Sequence, residues 1–245
     1  MLLAWRAAGI LAGFLFYVPL HFLWKLVGVR SPWPRIFLGW AGRRSGLRVT
    51  VEGTPVPGPV LYAANHVSWL DILALGGAVP VNFVARHDVG QWPAIGWAAD
   101  LNETIYIARD VRSSVKGQAD TLRKALEDGR AVGLFPEGTT DSGRELLPFR
   151  ASLFASLFPA LPGVKVQPVA IDYGAMFDDV LWIDDEPYGG NAKRLLSRRG
   201  TLPVTLRFLA PIDPHEAGDR KALAARSQHA VAGALGASEP APNPL

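Results

Sequence analysis

From Ala7 to Trp24 the chain runs eighteen residues without a charge. A run of that kind is buried on all sides, lies at a lipid surface, or crosses a bilayer, and at roughly 1.5 Å per helical residue it reaches only about 27 Å, the lower limit for a span. Pro19 and His21 lie inside it. A cleavable leader would place small residues after the apolar stretch, whereas Val18-Pro19-Leu20-His21-Phe22-Leu23-Trp24-Lys25 is bulky throughout, so the segment reads as an uncleaved anchor. Beyond the Ser31-Pro32-Trp33-Pro34 break, Ile36, Phe37, Leu38, Trp40 and Leu47 alternate with Arg35, Arg43, Arg44 and Arg48, the composition of an interfacial helix. Residues 1–48 therefore read as a membrane-associated helical hairpin that either dips into one leaflet or spans with its first helix. A buried soluble hairpin is the alternative, opposed by the cost of burying those arginines. If the first helix spans, Lys25, Arg30 and Arg35 outnumber Arg6 and place the downstream chain on the cytoplasmic side of the inner membrane.

Charge supports that division. The net charge of +3 is the difference between a first 50 residues with seven basic and no acidic side chains, at +7, and a remainder at −4. The basic excess is interleaved with Trp5, Trp24, Trp33 and Trp40 rather than with groove-reading polar residues, which opposes a nucleic-acid partner and favours a lipid surface. A mean hydropathy of +0.15 is too low for a polytopic membrane protein. The absence of cysteine removes disulfides, thiolate nucleophiles and thiolate metal sites together.

After Val49 short β-branched or aromatic runs alternate with helical stretches. Strands are predicted at 49–52, 60–64, 81–85, 104–107, 131–135, 164–171 and 202–208. Helices are predicted at 69–77, 93–100, 114–127, 152–159, 192–198 and 220–235, with Ser113 as the N-cap of the third and Gly129 as its stop. The alternation predicts an α/β domain over 49–236, with a mostly parallel central sheet flanked by helices. Residues 237–245 read as a disordered tail.

In such sheets functional residues gather where strands end. Three loops qualify: Asn65-His66-Val67-Ser68-Trp69-Leu70-Asp71, Ala108-Arg109-Asp110, and Pro136-Glu137-Gly138-Thr139-Thr140. His66 and Asp71 are five apart, about 140° around a regular helix, so their pairing needs a bent backbone. Ser68-Trp69-Leu70-Asp71 supplies one as a capping box, with His66 in the turn ahead of the helix. Spacing alone serves equally well a reading in which Asp71 only caps and His66 is a turn residue. Gly133 to Gly138 imitates a phosphate loop, but Thr139 replaces the lysine and Pro136 removes an N–H, so a nucleoside triphosphate is not expected. The five histidines form no close ligand pair, and no metal is expected.

Four blocks then occur in order: Asn65-His66-x-Ser68-x-x-Asp71, Ile105-Tyr106-Ile107-Ala108-Arg109, Phe135-Pro136-Glu137-Gly138-Thr139 and Val166-Gln167-Pro168-Val169-Ala170, with Phe83-Val84-Ala85-Arg86 between the first two. On these the chain resembles the glycerolipid acyltransferases, specifically the bacterial 1-acyl-glycerol-3-phosphate acyltransferases, over residues 1 to about 235. The resemblance implies acyl transfer from a thioester of coenzyme A or acyl carrier protein, a co-substrate rather than a cofactor, to the sn-2 hydroxyl of a lysolipid at a membrane. It implies His66 as general base, oriented by Asp71, a role that contributes about 10²–10⁴ in rate. No acyl-enzyme is implied, in keeping with the lack of Cys and of a Gly-x-Ser-x-Gly elbow. Backbone N–H groups near Gly138 are expected to help stabilise the oxyanion. Arg86 and Arg109 are expected to hold the acceptor phosphate, Glu137, Gly138 and Thr139 to belong to the acceptor site, and Pro168 to the acyl side. One position departs from the pattern: many members carry Arg after Glu-Gly-Thr, where this chain has Thr140, and Arg144 or Arg150 is expected to restore the charge. A lyso-aminolipid such as lyso-ornithine lipid is the alternative acceptor. A hydrolase and a non-catalytic lipid-binding membrane protein are the rival functions.

Overall fold

The computed structural model describes residues 1–92, 95–107, 112–140, 145–182 and 186–236, without the side chains of 112–118. Arg109, Arg144 and the tail 237–245 lie outside the described residues.

Seven strands form one sheet: β1 (Leu47–Glu52), β2 (Val60–Ala64), β3 (Asn82–Arg86), β4 (Ile105–Ile107), β5 (Ala131–Leu134), β6 (Lys165–Asp172) and β7 (Leu202–Phe208), in the order β1-β7-β6-β2-β5-β3-β4. Every neighbouring pair is parallel except β6–β7. All five residues of β2 are buried, as expected of a central strand covered on both faces, and the sequence shows this as an uninterrupted apolar run. One core face holds Tyr62, Leu70, Phe83 and Tyr173, and the other Leu61, Leu134, Phe154 and Leu223.

Among the described residues the helices are α1 (Leu2–Lys25), α2 (Trp33–Ser45), α3 (Leu70–Ala78), α4 (Ile95–Leu101), α5 (Arg112–Glu127), α6 (Phe177–Val180), α7 (Tyr188–Ser197), α8 (Pro214–Ala217) and α9 (Arg220–Leu235). Three expectations change. Helix α5 begins at Arg112, so Ser113 falls inside its first turn rather than at the cap. The segment expected as a helix at 152–159 is a 3-10 helix, Ala151–Leu157. Helix α7 starts four residues early, because Gly189-Gly190 reads as a loop while Pro187 at the N-cap starts the helix. Gly129 stops α5 as expected, with φ +74° and its N–H on the Leu126 carbonyl.

Helices α1 and α2 form the hairpin, and small residues set their packing. The Trp40 indole donates to the Gly9 carbonyl at 3.1 Å, and a Cβ on Gly13 would meet the Trp40 ring at 2.4 Å. The Arg44 guanidinium covers Gly9 and lies 4.8 Å from the Trp5 ring centroid. Helix α2 in turn sits on α3, where a Cβ on Gly77 would come within 2.6 Å of Gly39 Cα. The expectation that the hairpin's arginines resist burial fails at Arg6: it is buried, and its guanidinium donates to the carbonyls of Leu195 at 3.3 Å and Gly200 at 2.9 Å. Even so, α1 is long and apolar enough to cross a membrane, and only 17 % of its most apolar window is buried in the protein. Trp5, Leu11, Leu15, Phe16 and Leu23 are exposed.

Candidate active site

The carboxyl end of β2 starts the site. There the Asn65 side chain donates to the Ile171 carbonyl at 3.0 Å and accepts from the Ile171 N–H at 2.7 Å. This side chain takes the place of one more ladder pair between β2 and β6, and the backbone is free to bend away at His66.

The bend brings His66 Nδ1 to 2.9 Å from Asp71 Oδ2. The same oxygen accepts the Val67 N–H at 2.7 Å and the Ser68 N–H at 2.9 Å, while Oδ1 accepts the Tyr173 hydroxyl at 2.7 Å. Helix α3 has Trp69 at its N-cap, so the expected capping box is only half made. Asp71 takes the Ser68 N–H, but Ser68 Oγ accepts from Leu70 N–H, at 3.4 Å, instead of from Asp71 N–H. Asp71 is fully buried and the His66 side chain is 16 % exposed, so the carboxylate has no route to water and the ring has one. Four donors converge on this carboxylate. With the other three donors fixed as N–H and O–H groups, Nδ1 faces the carboxylate as a donor, the arrangement in which Nε2 is the ring nitrogen able to accept. Burial, then the Asp71 charge, pushes the Tyr173 hydroxyl well above the usual phenol range and keeps it a donor.

Two further contacts fix the ring and its backbone. The imidazole stacks on Phe135 with centroids 4.0 Å apart and planes 17° from parallel. Glu137, buried, accepts the His66 N–H on Oε1 at 2.7 Å and the Leu147 N–H on Oε2 at 2.9 Å. Glu137 thus ties the loop after β2 to the segment that follows the third block, and it acts behind the ring rather than in the open cavity. It is held there by a β-turn, Phe135–Gly138, with Pro136 second and Gly138 fourth, closed by Gly138 N–H to the Phe135 carbonyl at 3.0 Å.

The ring faces a cavity of about 1050 Å³ that Phe14, Tyr17 and Phe37 of the hairpin also line. Gly138, Thr139, Thr140 and Arg150 line it, as do Trp69, Trp92, Trp182 and Tyr188. A mostly apolar cavity of this size, with the His66 imidazole and a few other polar groups in its wall, suits a long-chain ligand. Arg86 is at its wall, yet both its Nε and Nη2 donate to Asp88, so the expected phosphate ligand meets the cavity as half of an exposed ion pair. Pro168 does not reach the cavity. It lies buried inside β6 opposite Ala63, and its carbonyl accepts from Leu209 N–H at 3.0 Å. Among the described residues no group of three or more His, Asp or Glu forms a metal site; Asp179 and Glu186 are paired with Arg198 and Arg194.

Sequence reasoning missed Tyr173 and the Phe135 stack. The signal for Tyr173 was its place at the carboxyl edge of β6, the strand of the fourth block; Phe135 was quoted but read only as the end of a strand.

The family model described as Acyltransferase matches residues 48–172. The chain is 36 % identical over 199 residues to a lyso-ornithine lipid O-acyltransferase of Rhodobacter capsulatus, covering 78 % of this chain and 71 % of that one. It is 39 % identical over 191 residues to the Pseudomonas aeruginosa protein of the same name, covering 76 % and 72 %. Against a 1-acyl-sn-glycerol-3-phosphate acyltransferase of Neisseria meningitidis it is 33 % identical over 192 residues, covering 76 % and 73 %. The crystal structure of the 1-acyl-sn-glycerophosphate acyltransferase PlsC from Thermotoga maritima superposes with a TM-score of 0.60 at 21 % identity, over 93 % of this chain and 95 % of that one, a likeness of fold.

Proposed function

Because the chain belongs to the glycerolipid acyltransferase family, we propose that it is a membrane-associated O-acyltransferase that moves a fatty acyl group from an acyl thioester to the hydroxyl of a lysolipid. The observation that carries the reading is the buried Asp71 carboxylate bonded to His66 Nδ1, which leaves Nε2 as a base at the wall of an apolar cavity.

In this reading Nε2 takes the proton of the acceptor hydroxyl as its oxygen attacks the thioester carbonyl. The new C–O bond gives a tetrahedral oxyanion, which collapses with loss of the thiolate, and the imidazolium returns its proton to that sulfur. Asp71 holds the tautomer and stabilises the imidazolium without taking the proton. The cavity houses the acyl chains, and the donor is acyl-coenzyme A or acyl carrier protein. Lyso-ornithine lipid is the first acceptor to test, supported by the relatives of that name and by Thr140. 1-Acyl-glycerol-3-phosphate is the second, supported by the Neisseria relative and the four ordered blocks.

In this reading the enzyme sits on the inner membrane and faces the cytoplasm, supported by the exposed apolar length of α1. Helix α1 is tied to the body at Arg6 and to the loop before α2 through His21 Nδ1 and Ser31 Oγ, 2.9 Å apart. A helix held at both ends in this way lies along the protein with its apolar face in one leaflet.

Purified full-length protein in vesicles, given radiolabelled acyl-coenzyme A or acyl carrier protein and a panel of lysolipids, tests the reading. Label should appear in diacyl product. Release of free fatty acid at the same rate with and without lysolipid would make the protein a hydrolase, and no turnover of any donor would leave a lipid-binding protein.

A further inference from the structure

Where the family pattern has an arginine after Glu-Gly-Thr this chain has Thr140, yet a guanidinium stands at the same loop from another direction. Arg150 comes back to the third block through its backbone, with its N–H on the Pro136 carbonyl at 3.0 Å. Its side chain then lies over Gly138: the guanidinium carbon, Nε and Nη1 are 3.2, 3.3 and 3.4 Å from the point a Cβ on Gly138 would occupy. With φ +75° Gly138 is also in the left-handed region, so the bare α-carbon serves both the turn and the seat of the guanidinium. Arg150 is exposed and lines the same cavity as His66, Thr139 and Thr140.

The two described arginines of that cavity differ in one respect. Arg86 is closed by both oxygens of Asp88, whereas no carboxylate among the described residues pairs with Arg150. Glu137, the acid of the third block, points inward onto the N–H groups of His66 and Leu147. A planar five-donor group that has no carboxylate partner among the described residues, in the wall of the same cavity as His66, is the chemistry that recognises an oxyanion through a two-pronged bond.

Resting on the acyltransferase reading, we propose that Arg150 is the acceptor-specificity residue of this chain: it binds the anionic group of the lysolipid, phosphate or carboxylate, in place of the arginine that Thr140 displaces. A guanidinium reads either anion, because both present two coplanar oxygens. The preference of the enzyme among acceptors is then set by the presence of an anion that Arg150 can reach, and only secondarily by which anion it is.

The test measures acyl transfer by the full chain in vesicles to three acceptors with a free hydroxyl: 1-acyl-glycerol-3-phosphate, lyso-ornithine lipid and uncharged monoacylglycerol. Wild type is compared with Arg150→Gln, Arg150→Lys and the double variant Thr140→Arg/Arg150→Gln, each checked for an unchanged melting temperature. Arg150→Gln should raise the KM of the anionic acceptors by about 10- to 100-fold, the range of a lost charge-assisted pair, and leave the donor KM and the neutral acceptor within about twofold. Arg150→Lys, which keeps charge but not the fork, should fall between. Thr140→Arg should recover most of the loss in the double variant. The wild-type ratio of the phosphate to the carboxylate acceptor identifies the anion. An unchanged acceptor preference in Arg150→Gln overturns the proposal, as does a rise in donor KM instead, which would assign Arg150 to the thioester carrier. Fatty acid release without transfer to any acceptor, in wild type, would instead remove the acyltransferase reading beneath it.

Discussion

Tyr173 supplies one of four hydrogen bonds to a carboxylate that water does not reach. Tyr173→Phe should therefore cost about 1–3 kcal/mol in denaturant titration, the range for a buried charged acceptor left one donor short. It should also lower kcat more than it raises KM, since in the proposed mechanism Tyr173 acts on the base through Asp71. The tyrosines give a pH expectation as well. Burial pushes Tyr62 and Tyr106 up to about 12, and Tyr173 is raised too. A phenol whose pKa is raised by folding contributes fully below its unfolded value near 10 and loses that contribution as pH climbs towards the folded value. Stability should fall between pH of about 10 and about 12, with tyrosinate absorbance appearing together with loss of the near-ultraviolet circular dichroism. Tyrosinate absorbance rising to completion in a fully folded protein would contradict it. The site's legibility divides along sequence distance. His66 and Asp71 share a loop, and their geometry follows from five residues of spacing. The Tyr173 bond spans 102 residues and exists only because β6 lies beside β2.

Between elements, close approach at glycine decides the packing. Gly39 and Gly77 let α2 settle on α3, which carries Asp71. A methyl group at Gly77 would stand 2.6 Å from Gly39 Cα and 2.8 Å from its nitrogen, backbone atoms that cannot turn aside. Gly77→Ala should cost about 1–3 kcal/mol of stability by overpacking, read by urea titration, while Gly189→Ala, with nothing within 4 Å, should be near neutral. The strands were legible because each is a short apolar run bounded by turn residues, and β2 and β7 match their expected limits to the residue. The helix ends were less so: the first turn of α7 holds Gly189 and Gly190, whose local preference opposes the helix, and its packing against α1 overrides that preference.

For the whole molecule, the hairpin forms part of the cavity wall as well as part of the exposed apolar surface. Leu15 and Phe16 are 66 % and 62 % exposed, so replacing them costs the core little. Leu15→Asp/Phe16→Asp should cut binding to anionic vesicles in flotation at least about tenfold and leave the melting temperature of the detergent-solubilised protein unchanged, because the lost term is apolar area given to lipid. Undiminished flotation would remove the membrane role of this face. The net charge of +3 conceals the same division, since the +7 segment is the one that carries the exposed apolar helix.

The central claim is that His66 Nε2 acts as a base on the acceptor, with no acyl group passing through the protein. Single-turnover mixing of the protein with radiolabelled acyl-coenzyme A, before and after addition of lysolipid, tests it directly, beside His66→Ala. The expected result is no label on denatured protein at any time, product only after the lysolipid is added, and a rate lower by about 10²–10⁴ in His66→Ala. Label held covalently by the protein before the acceptor arrives, or turnover undiminished in His66→Ala, would contradict it.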